Sequence, residues 1–205
     1  MLTPVSRWRA LACGLLLGCL GSVPLPAQTQ QAKSDYTFAG LVWGASPATT
    51  RSTLTAQGLK FIEVDADGDL DFTGTLYGYP AAVFAIMAHE RLVRISVTLL
   101  TPDQEARAVY ADLKTTLTRK YGTPRFDIQR FIDPYYDGDG FEEQAIRLDK
   151  ANYVALWYHG TGHVATTESA LVLSITDKLD IELDYDSTQW PVEEVRRNDK
   201  RAKIF

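Results

Sequence analysis

Residues that carry chemistry are scarce in this chain. Its 205 residues include two cysteines, three histidines and two methionines, and both cysteines, Cys13 and Cys19, fall within the first 27 positions. Past that segment no thiol remains, so disulfide stapling, cysteine catalysis and thiolate metal sites are all excluded there. No Gly-x-Ser-x-Gly elbow, Walker loop or Gly-x-Gly-x-x-Gly turn occurs, which removes the usual sequence basis for serine hydrolysis and for nucleotide binding. Cations are also in short supply, with 21 Lys and Arg against 26 Asp and Glu. Leaving out Arg7 and Arg9 of the first 27 residues makes the balance 19 against 26, a net charge of −7. That argues against phosphate-driven nucleic-acid binding, which needs a basic face. The apolar stretch 10–20 is shorter than the roughly 20 residues that span a bilayer.

What is present begins with an address. A start carrying Arg7 and Arg9 and no acid, the apolar stretch 10–20, and an exit through Pro24, Pro26 and Ala27 have the order of a secretory signal peptide. Cleavage after Ala27 is expected to leave a periplasmic or secreted protein with no transmembrane segment, preceded by a disordered lead-in over 28–35. The alternative is a lipid anchor, because Leu16-Leu17-Gly18-Cys19 reads as a lipobox with Cys19 as the acylated residue. The remaining chain is long enough for a core that needs no staples, and one domain over 36–205 is expected.

Periodicity supplies the elements. Residues 38–43 read as a short strand, and Ser46-Pro47 as an N-cap followed by a first-turn proline, opening a helix that stops at Gly58. Apolar runs at 60–64, 70–77, 81–88 and 92–100 read as strands. In the last, Val93, Ile95, Val97 and Leu99 alternate with Arg94, Ser96 and Thr98. His89-Glu90-Arg91 is a tight link, and His89 is expected to be solvated there. Thr101, Pro102 and Gln104 read as a capping box. It opens a helix whose stripe of Ala106, Val109, Tyr110, Leu113, Leu117 and Tyr121 should cover a sheet, with Gly122 and Pro124 ending it. Strands are then expected at 126–132, 143–148, 152–158, 170–176 and 179–185, and a helix over 191–203. Short connections require antiparallel pairing. The expected fold is α+β, an antiparallel meander with helices packed on one side, with two α-then-β units as the alternative arrangement.

The segment Phe38-Ala39-Gly40-Leu41-Val42-Trp43-Gly44-Ala45-Ser46, the strand around Phe72-Thr73-Gly74, and a strand running into a helix that ends Lys120-Tyr121-Gly122-Thr123-Pro124 together resemble a build found among uncharacterised exported proteins of Gram-negative bacteria. The pattern is also similar, at a distance, to the helix-plus-meander modules of outer-membrane assembly lipoproteins and of β-lactamase inhibitor protein. The resemblance implies an exported α+β module that binds something, and it carries over no catalytic residue.

Several clusters are candidates for chemistry. His159 and His163 are two imidazoles close enough in sequence to share zinc or copper, but the glycines between them make a loop. Asp65, Asp67 and Asp69 in one turn and Asp137 and Asp139 in another invite a weak calcium site, although neither spacing matches an EF-hand and Asp-Gly is ordinary turn chemistry. No cofactor is expected. Glu142 or Glu143 with a distant Asp is the acid pair of an alternative reading, a carboxylate-dependent hydrolase of the cell envelope. Asp180, Glu182 and Asp184 read as a solvated ladder that discourages edge pairing, and 196–203 as a basic tail, a charged solvated helix end able to touch anionic lipid or an acidic partner. The leading expectation is a non-enzymatic binding module whose partner, an envelope protein, is contacted through Tyr135, Tyr136 and Phe141. Aromatics among Asp and Gly on a loop suit protein recognition.

Overall fold

Ser46 starts the first helix as its position predicts. Its hydroxyl accepts the Thr49 amide at 3.2 Å and Pro47 occupies the first turn, so α1 (Pro47–Ala56) is capped by residues adjacent in sequence. It ends before Gly58, whose φ of +87° reverses the chain. These contacts come from a computed structural model that describes residues 36–158 and 169–203. Ahead of α1, residues 38–43 are a turn and not the expected strand. Ala39 and Gly40 take φ of +53° and +73°, and the Leu41 amide closes on the Phe38 carbonyl at 3.0 Å. The apolar residues there still serve the core, with Leu41 buried and the Phe38 ring 5.6 Å from that of Tyr185.

Four strands follow as successive hairpins, β1 (Lys60–Val64), β2 (Leu70–Leu76), β3 (Tyr79–Ala88) and β4 (Arg91–Leu99). His89 and Glu90 both have positive φ, at +49° and +59°, which gives the two-residue link between β3 and β4 a twist matching its strands. A 3₁₀ turn over Asp103–Glu105 then leads into α2 (Ala106–Tyr121). The capping box does not form. Thr101 donates its hydroxyl to the Leu179 carbonyl at 2.7 Å, so it is spent on a distant turn and the helix begins later than the sequence suggests. The expected stripe is borne out, with Ala106, Val109, Tyr110, Leu113 and Leu117 buried.

Next come β5 (Phe126–Phe131), a short helix α3 (Glu142–Arg147), β6 (Ala151–Tyr158), β7 (Ala170–Ile175), β8 (Ile181–Asp186) and α4 (Trp190–Ala202). The strand expected at 143–148 is therefore helical. Ala145 and Ile146 turn inward together with Glu142, a spacing that fits a single helical turn and no strand.

All eight strands form one antiparallel sheet in the order β1-β2-β3-β4-β8-β7-β6-β5. Two meanders, each preceded by a helix, thus meet through their last strands, where Ile95 faces Tyr185, Val97 faces Leu183 and Leu99 faces Ile181. These pairs point inward under α2, whose Tyr110 ring meets that of Tyr153 at 5.8 Å. Each fully buried leucine beneath the helices contributes roughly 1.5–3 kcal/mol. The α+β fold with an antiparallel sheet is what the alternating segments foretell. On the opposite face Trp190, at the start of α4, stacks on the Arg94 guanidinium at 4.5 Å. The acidic ladder of β8 lies at the middle of the sheet, between β4 and β7, so it protects no edge.

The tail is tied down rather than free. Arg197 is buried and its guanidinium donates to both Asp69 oxygens at 2.6 and 2.8 Å, to the Met87 carbonyl at 2.8 Å and to Glu193 at 2.7 Å. Lys200 pairs with Asp67. Hydrogen bonds from Arg196 and Arg197 hold the Glu193 carboxyl below its ordinary pKa. Among the described residues no helix is long and apolar enough to cross a membrane.

Candidate functional site

The connection between β5 and β6 is where the described fold departs most from tight hairpins, and it is ordered by its own side chains. Asp139 accepts the amides of Tyr136 at 3.0 Å and Phe141 at 2.7 Å through its two oxygens. Gly138 donates its amide to Glu142 at 2.9 Å, and Gln129 of β5 reaches Asp137 at 3.1 Å. A backbone bond from Tyr135 to the Ile132 carbonyl at 3.2 Å closes the first turn. Tied by these bonds, the loop leaves the rings of Tyr136 and Phe141 exposed.

The result is a cleft of about 390 Å³ lined by Pro134, Tyr135, Tyr136, Asp139, Phe141 and Gln144. That volume lies in the range of small-ligand and side-chain pockets. All three aromatics singled out in the sequence meet here. Tyr135 packs against the core, while Tyr136 and Phe141 remain 65% and 57% exposed. Aromatic surface left in water beside a carboxylate suits a partner that is apolar with a polar or cationic edge. Pro134 and Gln144 complete the lining without having stood out in the sequence. Gln144 is placed by α3, which the sequence disguises as a strand.

Beneath the loop, Arg107 of α2 binds Glu143 at 2.8 Å and faces Glu142 at 3.5 Å. Burial pushes the Glu143 carboxyl up, but the Arg107 hydrogen bond, a backbone hydrogen bond and the Arg107 charge together outweigh it, and the group sits below its ordinary pKa. The two glutamates thus share one guanidinium, and Glu142 ties the loop to α3 through the Gly138 amide.

The acids of both turns are occupied by protein donors. Asp65 accepts the amides of Asp67 at 2.8 Å and Asp69 at 2.9 Å, and Asp69 is spent on Arg197 and the Met87 amide. Among the described residues no group of three His, Cys, Asp or Glu side chains is arranged to hold a metal. His89 lies in its turn, and His159 and His163 lie outside the described residues.

A second feature lies on the sheet face away from α2. Cross-strand register sets Phe84, Ser96, Asp184, Val172, Leu156 and Phe126 in one continuous row. The neighbouring row places Thr98, Glu182 and Ser174 between Ala82 and Val154. Arg94 pairs with Asp184 and lies 3.4 Å from Asp186. One oxygen each of Asp184 and Asp186 is buried and accepts no hydrogen bond from the protein. Burial, more than the neighbouring carboxylates, raises the Asp186 pKa to about 7, even against the attraction of Arg94. Burial likewise raises Glu182, with Asp184 adding to it. No known family matches the chain, and no curated protein or solved structure resembles it closely enough to count as a match.

Proposed function

We propose that this protein is an exported, non-enzymatic binding module that recognises a protein of the cell envelope through the cleft formed by Tyr135, Tyr136 and Phe141. The observation that carries the reading is the pre-ordered aromatic cleft, in which Asp139 holds the loop from both sides while two large rings stay exposed. Ordering the loop before binding lowers the entropic cost of recognition, and rings on such a loop bring contact area with few rotatable bonds. The acidic residues around the cleft favour a basic or amphipathic partner, met faster at low salt. Hydrolysis by a carboxylate pair has less support. The glutamates offered for it, Glu142 and Glu143, are both engaged by Arg107, and neither lines the cleft.

The test is retention of a partner from envelope extract on immobilised protein. Replacing Tyr135 and Tyr136 together by alanine should weaken that binding by about 2 kcal/mol or more, with the fold left intact. Full retention by the double variant would remove the cleft from the reading. For the export part, intact mass of the protein recovered outside the cytoplasm should match a chain beginning at Gln28. A lipid-modified Cys19 at the N-terminus would replace the soluble form by the anchored one.

A further inference from the structure

The sheet face away from α2 carries an arrangement that the cleft does not use. Its flanks are apolar, with Phe84 on β3 exposed at 36% and Phe126 and Ile128 on β5 at 45% each. Between them, β4 and β8 contribute the short side chains of Ser96 and Thr98 and the carboxylates of Glu182 and Asp184. From β3 to β7 the register crosses three strand spacings, or about 14 Å at ~4.8 Å each, which admits an α-helix of about 10–12 Å diameter. Register thus sets a channel of short and acidic side chains, Ser96, Thr98, Glu182 and Asp184, between the apolar borders Phe84 and Val172. Its charges are unbalanced. Arg94 is the cation that Asp184 and Asp186 share, it is covered by Trp190, and among the described residues the carboxylate of Glu182 forms no ion pair.

We propose that this face docks an amphipathic basic helix of a partner protein, its apolar side chains resting on Phe84 and Val172 and its Arg or Lys side chains reaching Glu182 and Asp184. Charge complementarity selects the partner. A face whose carboxylates exceed its cations gains from an incoming cation, and more so because the strip is partly desolvated. The backbone groups of these interior strands are already bonded within the sheet, so an occupant must satisfy its own, and a helix does. The burial-raised pKa values of Asp186 and Glu182 fit the same picture of charges held without a sufficient counter-charge. This surface is distinct from the aromatic cleft and stands whether or not that cleft is a binding site.

The experiment uses purified, isotopically labelled protein and two synthetic helices, one with leucine along one face flanked by arginine, the other with glutamate in place of every arginine. The arginine helix should shift the amide signals of Ser96, Thr98, Val172 and Ser174, and the glutamate helix should leave them in place. Thr98→Lys sets an ammonium opposite Glu182, filling the channel with the charge it lacks, and should weaken binding roughly tenfold or more. Glu182→Gln, a near-isosteric change, should weaken it several-fold and guards against the lysine variant failing to fold. The double alanine variant at Tyr135 and Tyr136 should bind the helix like the parent, which keeps this result separate from the cleft. The proposal is overturned by equal binding of both helices, by shifts confined to Tyr135, Tyr136 and Phe141, by undiminished binding to both sheet variants, or by concentration-dependent shifts of this face without peptide, which would make a second copy its occupant.

Discussion

The two halves of the sheet are built on one plan and differ most in how each joins its first two strands. In each, a helix precedes four strands in a meander, α1 before β1–β4 and α2 before β5–β8. The first half joins its opening pair of strands through residues 65–69, where Asp65 caps its own turn. The second half uses residues 132–150 for the same step and fits the aromatic loop and α3 into it. The first half is closed by a buried ion network on Arg197, the second by ring contacts of Tyr153 with Tyr110 and Phe131. The comparison teaches that the shorter version suffices to make the sheet. The extra length in the second half is therefore free to carry recognition, as connections on a rigid scaffold commonly do.

The sharpest way to break this comparison is at Arg197. Alanine there leaves Asp69 buried without its cation and Glu193 with Arg196 alone, and should cost about 3–5 kcal/mol, read as a fall in the urea midpoint. A loss under about 1 kcal/mol would mean that the first half does not depend on the network. In the second half Leu113→Ala opens space under α2 and should cost roughly 2–5 kcal/mol. An unchanged midpoint would place that stripe outside the core.

A smaller effect, of opposite sign, is expected where the halves join. Asp186 has a folded pKa of about 7, above the ordinary aspartate value, because burial and the carboxylates of Asp184 and Glu194 outweigh Arg94. Between about pH 4 and 7 the folded protein therefore holds a proton that the unfolded chain has released, and stability falls as pH rises through that window. Asp186→Asn should be more stable than the parent at pH 8 by roughly 1–3 kcal/mol, a difference that vanishes near pH 4. Midpoints whose difference does not vary with pH would contradict this sign. The smallest effect belongs to the loop. Asp139→Ala removes two amide acceptors and should cost about 1 kcal/mol, while exposing 133–141 to limited proteolysis. Cleavage as slow as in the parent would show that Asp139 does not order the cleft.

Much of this fold was legible because its signals are local. The alternation in β4 and β8, the stripe on α2, and Ser46-Pro47 before α1 each specify an element within a few residues, and their pairing follows from short links. Failures have equally local causes. Residues 38–43 are apolar like a strand, but Ala39 and Gly40 take positive φ. The helix α3 is too short to show a period, although Glu, Gln, Ala and Arg favour helices. Thr101 is a good cap by type and is claimed by Leu179 instead. Arg197 looked like part of a solvated tail because its partner Asp69 lies far off in sequence. The rings of the cleft were visible as a composition, whereas Gln144 and the supporting Arg107 come from elements that only folding brings beneath the loop.

The pairing of β4 with β8 also imposes an order of events on the growing chain. The first four strands find their neighbours locally, and that meander can close as soon as β4 has been made. Its far edge, carrying Ile95, Val97 and Leu99, has no partner until Ile181–Asp186 is synthesised, after α2 and β5–β7. For that interval β4 is a long, apolar strand with open amides, the kind of surface that recruits other chains. A polypeptide released before Ile181 would hold this state permanently, so premature termination favours aggregation over a smaller folded product.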